Sequence, residues 1–279
     1  MKPLRFGLVG ENVGYSLSPD IFLAMLAQLQ LEGGFDVHSV TKQQLGVCVR
    51  HLVESDCAGF SVTIPHKEQI GQFLDATDES ASSAGAINSV SIRDGSLTGH
   101  NTDRDGFTYS LRRNGFTGCD RALIIGKGGA ARAVMAGLRH DFGVTKFVVC
   151  GRSNGDAVDQ ADRLQVLREH LQAEIEAVPP EECVGDMRAE LIVNCTPLGG
   201  PNHTDKSAVP EGLNWKSVVL YYDLNYNVGN CMVAEAGRQG VVSMDGSAML
   251  VAQAVKSFEL WTGHRADFET VYKKVFPNR

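Results

Sequence analysis

The chain has 279 residues, 43% of them hydrophobic, and a formal net charge of −7. Length and apolar content suffice for two modest packed domains and give no reason to expect disorder, while the missing basic surplus argues against a nucleic-acid partner. The cysteines (Cys48, Cys57, Cys119, Cys150, Cys183, Cys195 and Cys231) are odd in number, scattered and never spaced C-x-x-C, which argues against a disulfide framework or a structural zinc site and for reduced thiols in the cytoplasm.

Residues 1–10, with Lys2 and Arg5, lack an apolar stretch of signal-peptide length, and no later run approaches the roughly 18 apolar residues of a membrane span. Secretion and membrane insertion are therefore not expected. Residues 6–9 read as a strand, and 20–30 as a helix from the spacing of Ile21, Phe22, Met25, Leu26 and Leu29. A strand at 35–40 and an amphipathic helix at 43–53, with Leu45, Val49 and Leu52 on one face, follow. Next come a strand at 61–64 and a helix near 67–74, a βαβαβ layout that implies a parallel or mixed sheet. A linking helix at 105–113 opens a second alternation. It continues with strand 122–125, a glycine turn, helix 129–140, strand 146–150, a helix near 157–171, and strands at 191–194 and 218–223, in outline a dinucleotide-binding fold. Residues 247–261 and 266–275 read as helices.

Val62-Thr63-Ile64-Pro65-His66-Lys67 runs a β-branched strand into a proline and then a lysine. Pro65 cannot continue the ladder, so Lys67 falls near the strand's carboxyl end, where ligands of open α/β sheets collect. Lysine serves as an acid or base when desolvation or neighbouring charge brings its pKa toward the working pH; a carboxylate alone would raise it. Gly126-Lys127-Gly128-Gly129-Ala130-Ala131 is a G-x-G-x-x-A turn directly after an apolar strand and before a helix. There the glycines permit close backbone approach and the helix N-terminus offers N–H donors to a pyrophosphate. At the end of the following strand, Cys150-Gly151-Arg152-Ser153 carries no carboxylate for a ribose 2′-hydroxyl, whereas Arg152 and Ser153 suit a 2′-phosphate. NADP is favoured, and Asp156 slightly further on leaves NAD use open. Ser16 and Ser18 flank Leu17, so both hydroxyls can face one side of an extended loop and donate to a carboxylate. Pro19-Asp20 equally reads as a helix start that those serines would cap.

Six segments carry a further likeness: Ser16-Leu17-Ser18-Pro19, Val62-Thr63-Ile64-Pro65-His66-Lys67, Gly85-Ala86-Ile87-Asn88, Asn101-Thr102-Asp103, Gly126-Lys127-Gly128-Gly129-Ala130-Ala131-Arg132 and Met249-Leu250-Val251-Ala252-Gln253. In this order they resemble the shikimate dehydrogenase family over nearly the whole chain. The resemblance implies an α/β protein with an N-terminal α/β substrate-binding catalytic domain (1–103 and 247–279) and a Rossmann-type NADP-binding domain (104–246). The C-terminal helices would return to the first domain. It implies NADP-dependent interconversion of shikimate and 3-dehydroshikimate in aromatic amino-acid biosynthesis, without a metal, by a cytoplasmic monomer or homodimer. Lys67 would transfer the proton at the reacting oxygen, and Asp103 would orient it and share a substrate hydroxyl. Ser16, Ser18, Thr63, Asn88, Tyr226 and Gln253 would complete the polyol site. The cofactor would lie on Gly126, Lys127, Gly128, Gly129 and Ala130, then Gly151, Arg152 and Ser153, with Thr196, Leu224 and Gly246 beside them.

The chain departs from the family pattern at several places. Ser61 stands for an asparagine, Gly151-Arg152-Ser153 for Asn-Arg-Thr, and Asn194-Cys195-Thr196-Pro197-Leu198-Gly199-Gly200 for Asn-Ala-Thr-Pro-x-Gly-Met. Val228 replaces a proline, and Asn230-Cys231 a threonine region. These differences point to a divergent paralogue. Rival readings are a quinate or quinate/shikimate dehydrogenase, an enzyme of an amino-substituted relative, and a catalytically silent NADP-binding sensor. Ser18 tilts toward shikimate, and the joint presence of Lys67, Asp103, Asn88 and Gln253 argues against a silent protein.

Overall fold

Leu4–Gly10 forms β1 of a computed structural model that describes residues 2–151, 165–204 and 206–279. The chain divides into two units, Met1–Ser110 with Ala248–Arg279, and Leu111–Ser247. In the first, β1 is followed by α1 (Ser18–Gln28), β2 (Gly33–Ser39), α2 (Leu45–Glu54), β3 (Gly59–Val62), β4 (Ala76–Thr77) and α3 (Glu79–Ala84). The hairpin of β5 (Ser89–Arg93) and β6 (Ser96–His100) precedes α4 (Asp103–Arg113). The sheet is mixed, in the order β2-β1-β3-β5-β6-β4: β1 runs parallel to β2 and β3, and β5 antiparallel to β3 and β6.

The second unit contains β7 (Arg121–Ile125), α5 (Gly129–Phe142), β8 (Lys146–Cys150), α6 (described over 165–171), β9 (Glu174–Val178) and β10 (Leu191–Asn194). Then come β11 (Leu220–Asp223), α7 (Cys231–Arg238) and β12 (Val242–Met244). All neighbours pair parallel in the order β12-β11-β10-β7-β8-β9. The order reverses between β7 and β10, which is the doubly wound arrangement with its ligand crevice at the strands' carboxyl ends. After it, α8 (Ser247–Thr262) and α9 (Phe268–Val275) join the first unit.

That return rests on aromatic burial. Phe6 of β1 packs with Ile21, Phe22 and Met25 of α1 and with Val251, Phe258 and Trp261 of α8; Phe22 and Trp261 stack with centroids 5.1 Å apart. Burying each such side chain is worth about 1.5–3 kcal/mol. Successive residues of β1 point to opposite faces, so Val9 instead meets Leu45, Val49 and Leu52 of α2. Among the described residues no helix is long and apolar enough to cross a membrane.

Several elements differ from the sequence expectation. β3 ends at Val62 rather than 64: the Thr63 N–H makes the last ladder bond, to the Val9 carbonyl (2.9 Å), and Pro65 has no N–H to extend the ladder. The helix expected near 67–74 reduces to a 3-10 turn at Ile70–Phe73, too short to nucleate α-helix and interrupted by Gly71. The β5–β6 hairpin was not expected. Asp94 and Gly95 supply its two-residue turn with φ of 51° and 79°, the left-handed pair that matches strand twist. β4, β9, β12 and α7 were also not anticipated, being short or, in β9, interleaved with exposed glutamates. The helix expected near 157–171 is described only from 165, and Arg152, Ser153 and Asp156 lie outside the described residues.

Gly246 follows β12, and a Cβ built there would sit 2.0 Å from the Leu224 carbonyl oxygen. Backbone cannot yield as a side-chain tip does, so Gly246→Ala is expected to destabilise by about 3 kcal/mol, the upper part of the overpacking range. Gly237→Ala, where a Cβ meets nothing within 4 Å, should be neutral or stabilising by up to about 1 kcal/mol. Urea unfolding of both variants checks this; equal midpoints would contradict the backbone contact.

Candidate active site

Hairpin register builds the polar centre of the first unit. Ser89 pairs with His100 across β5 and β6, so Asn88 and the segment from Asn101 to Asp103 emerge side by side at the hairpin's open end. Lys67 lies in the turn after β3, and its carbonyl accepts from the Ile87 N–H at 2.7 Å, tying that turn to the same end. The Lys67 ammonium donates to Asp103 Oδ2 at 2.6 Å, with both side chains largely buried. Asn88 Nδ2 donates to Asp103 Oδ1 at 2.7 Å, and Asn88 Oδ1 accepts from the Thr102 N–H at 2.7 Å. Asp103 opens α4, where the helix dipole favours its charge. Gln253 of α8 joins through Oε1, 3.4 Å from both Asn88 Nδ2 and Thr102 Oγ1.

The supports are also polar. Asn101 Nδ2 donates to the Ala86 carbonyl and its Oδ1 accepts from the Asp103 N–H, at 2.8 and 3.1 Å. Asp78 caps α3 by accepting from the Ala81 N–H at 3.0 Å. Its other oxygen meets His100 Nδ1 at 2.7 Å, and His100 Nε2 meets Ser91 Oγ at 2.9 Å. Burial pushes the Asp78 carboxyl up, but hydrogen bonds from Ser80, His100 and the Ala81 N–H outweigh it and hold the pKa below the ordinary carboxylate value.

Ser16 Oγ donates to Ser18 Oγ at 3.0 Å, so the two hydroxyls share one side. The N-cap of α1 is Leu17 without a side-chain capping bond, but Ser16 Oγ accepts from the Ser18 N–H that opens the helix, at 3.2 Å, so Ser16 also serves the helix start. Thr63 sits beside Gly10, whose hypothetical Cβ would touch its methyl group. Lys67, Asn88, Asp103 and Gln253 are thus brought together. Tyr226 belongs to the second unit, in the loop after β11.

In the second unit the glycine turn fits a dinucleotide phosphate. Gly126 has φ of 116°, a conformation side chains rarely adopt, and its hypothetical Cβ would lie 3.2 Å from Thr196 Cγ2 across the reversal point. Gly128 caps α5 with nothing within 4 Å of its hypothetical Cβ and no side-chain capping bond. This leaves an open cradle of first-turn N–H donors with Gly129 and Ala130 behind it. Gly151 follows β8, and the Lys127 stem passes over it, 3.0 Å from a hypothetical Cβ. Thr196, Leu224 and Gly246 lie just past β10, β11 and β12, all at carboxyl ends. Among the described residues no group of three or more His, Cys, Asp or Glu side chains is placed to hold a metal.

Residues 8–90 match the model of the shikimate dehydrogenase substrate binding domain, and 246–276 that of the shikimate 5′-dehydrogenase C-terminal domain. A shikimate dehydrogenase (NADP(+)) of Nitrosopumilus maritimus is 34% identical over 272 residues, 96% of this chain and 96% of its own. The chain belongs to the shikimate dehydrogenase family. A solved shikimate dehydrogenase in complex with NADP+ has a TM-score of 0.86 at 27% identity, covering 99% of this chain and 96% of that one. Shikimate 5-dehydrogenase of Thermus thermophilus in complex with shikimate gives 0.81 at 30% identity, over 98% and 97%.

Sequence reasoning about this family member missed part of its polar centre. Ser257, fully buried, lies 3.1 Å from Thr102 through their hydroxyl oxygens; its spacing of one helical turn from Gln253 was the available signal. Asn194, Asp223 and Asn225 of the second unit were likewise not singled out as site residues.

The Asp78 geometry sets a pH dependence. A carboxyl whose folded pKa is lowered stabilises the fold above its unfolded value, about 3.9, and that contribution disappears as pH falls through the folded value. Stability should therefore decline below about pH 4, and Asp78→Asn should flatten part of that decline while lowering stability at neutral pH. Urea midpoints measured across the acid range check this; an unaltered acid limb in the variant would contradict it.

Proposed function

We propose that the chain is an NADP-dependent shikimate dehydrogenase interconverting shikimate and 3-dehydroshikimate. The observation that carries the reading is the Lys67–Asp103 pair at 2.6 Å, held by Asn88 and placed beside Gln253, in a chain of this family. NADP, when bound, accepts or supplies the hydride exchanged with C3 of the substrate. Among the described residues Asp103 is the one partner of the Lys67 ammonium, so two of its three N–H positions remain for a ligand. Lys67, as the neutral amine, takes the C3 hydroxyl proton during oxidation and becomes the ammonium, and as the ammonium it returns that proton to the oxygen during reduction. Asp103, with one oxygen fixed by Asn88, orients the amine and accepts from a neighbouring substrate hydroxyl. The Ser16–Ser18 hydroxyls donate to the carboxylate, while Thr63, Gln253 and Tyr226 complete the polyol contacts. Amides and hydroxyls matched to a polyol reject analogues that leave them unpaired.

The glycine turn, with Gly126, Lys127, Gly128, Gly129 and Ala130, holds the pyrophosphate on the N-terminus of α5. Gly151, Arg152 and Ser153 receive the adenosine 2′-phosphate, with Thr196, Leu224 and Gly246 along the remaining crevice. Assays pairing shikimate or quinate with NADP or NAD test the assignment. The highest kcat/KM is expected for shikimate with NADP, and a higher value for any other pairing would reject it.

Lys67→Ala is expected to lower kcat by roughly 10²–10⁴, the worth of a positioned acid or base, with little change in KM or melting temperature. Near-normal turnover in the folded variant would remove Lys67 from the chemistry. Ser16→Ala and Ser18→Ala should chiefly raise KM for shikimate, because a carboxylate away from the reacting carbon is bound alike in ground and transition states. Steady-state kinetics of both decides, a fall in kcat at unchanged KM being the contrary result.

A further inference from the structure

We propose that Asp223 is a positioning residue for the dinucleotide: its buried carboxylate, acting through Asn194 and Asn225, sets the loop that faces the glycine turn. The inference rests on reading the second unit as the NADP-binding half. Asp223 ends β11 directly opposite Asn194 at the end of β10, and it is fully buried. Asn194 Nδ2 donates to both of its oxygens at 3.1 Å, Tyr221 donates its hydroxyl at 2.7 Å, and Asn225 donates its backbone N–H and Nδ2 at 2.9 and 2.8 Å.

The two amides so oriented grip the loop after β10. Asn194 Oδ1 accepts from the Thr196 N–H and hydroxyl at 2.9 and 2.7 Å, and Asn194 Nδ2 donates to the Leu198 carbonyl at 3.0 Å. Asn225 Nδ2 donates to the Thr196 and Leu198 carbonyls, both at 3.1 Å. Thr196, held on three sides, puts its methyl 3.2 Å from where a Gly126 Cβ would be. The carboxylate therefore fixes one wall of the crevice whose other wall is the glycine turn, although it lies beneath the surface a ligand could touch.

Chemistry makes the role specific to a carboxylate. Every one of these partners donates to Asp223, so Asp223→Asn sets an NH₂ against donors and leaves buried groups unpaired. Asn225→Ala, a milder change, removes only the second grip and serves if Asp223→Asn does not fold.

The test is calorimetric titration of purified protein with NADP+ and separately with shikimate, beside melting curves. Asp223→Asn or Asn225→Ala is expected to weaken NADP+ by about tenfold or more, the scale of a lost buried hydrogen bond. Shikimate affinity should stay within about twofold. Folded variants that bind NADP+ as wild type does overturn the inference, as does a parallel loss of both ligands. Wild-type protein that binds no dinucleotide overturns the reading of the unit, and the inference with it.

Discussion

A carboxylate taken out of water must find donors or a cation, or else it costs several kcal/mol and neutralises. Both units are organised around that constraint. Asp103 meets it with one cation and one amide, Lys67 and Asn88, whereas Asp223 meets it with neutral donors alone. The difference separates their chemistry. An ammonium left with spare donors beside Asp103 can engage a ligand, while a carboxylate saturated by amides and a phenol is a fixed scaffold. Burial and the neighbouring Asp223 charge push the Tyr221 phenol pKa up, so that hydroxyl stays a donor at any physiological pH.

In both units the strands deliver the partners. Asn88 reaches Asp103 because the Asp94-Gly95 turn fixes the register in which Ser89 faces His100. A slip of one residue would send alternate side chains to the other face and separate the amide from the carboxylate. Asn194 reaches Asp223 because β10 and β11 are in parallel register there. The Lys67 turn is fastened by a backbone bond to Ile87, so the lysine's place depends on the same hairpin.

Local pattern made much of this legible. The β-branched run before Pro65, the glycine turn after 122–125 and the helical spacing of Ile21, Phe22 and Met25 each report a neighbourhood of a few residues, which is the range over which sequence speaks directly. The hairpin was equally local, and its Asp-Gly turn between alternating residues was a strong signal obscured by the polar segments on either side. The Asn194–Asp223–Asn225 network was hidden for a different reason. Its members are 29 residues apart in the closest inter-strand pair, and nothing in the composition of either stretch distinguishes a buried amide from a surface one. The return of α8 is more distant still, since Phe22 and Trp261 meet only through the tertiary fold. Only the resemblance to a family, which carries tertiary information, reached that far.

The departures from the family pattern acquire a physical reading in the loops around β10 and β11. Asn230, in the stretch that replaces a threonine region, caps α7 by accepting from the Met232 and Val233 N–H groups at 3.0 and 3.2 Å, a task a threonine oxygen also performs, somewhat less well. Asn227, beside Val228, donates to the Gly199 carbonyl at 3.0 Å, binding the same loop that Asn194 and Asn225 hold. Val228 itself is 91% exposed, so the loss of a proline there costs rigidity and no packing. The changed residues keep the cap of α7 and the hold on the Gly199 carbonyl, at the cost of two buried amide atoms, Asn227 Oδ1 and Asn230 Nδ2, left without partners among the described residues.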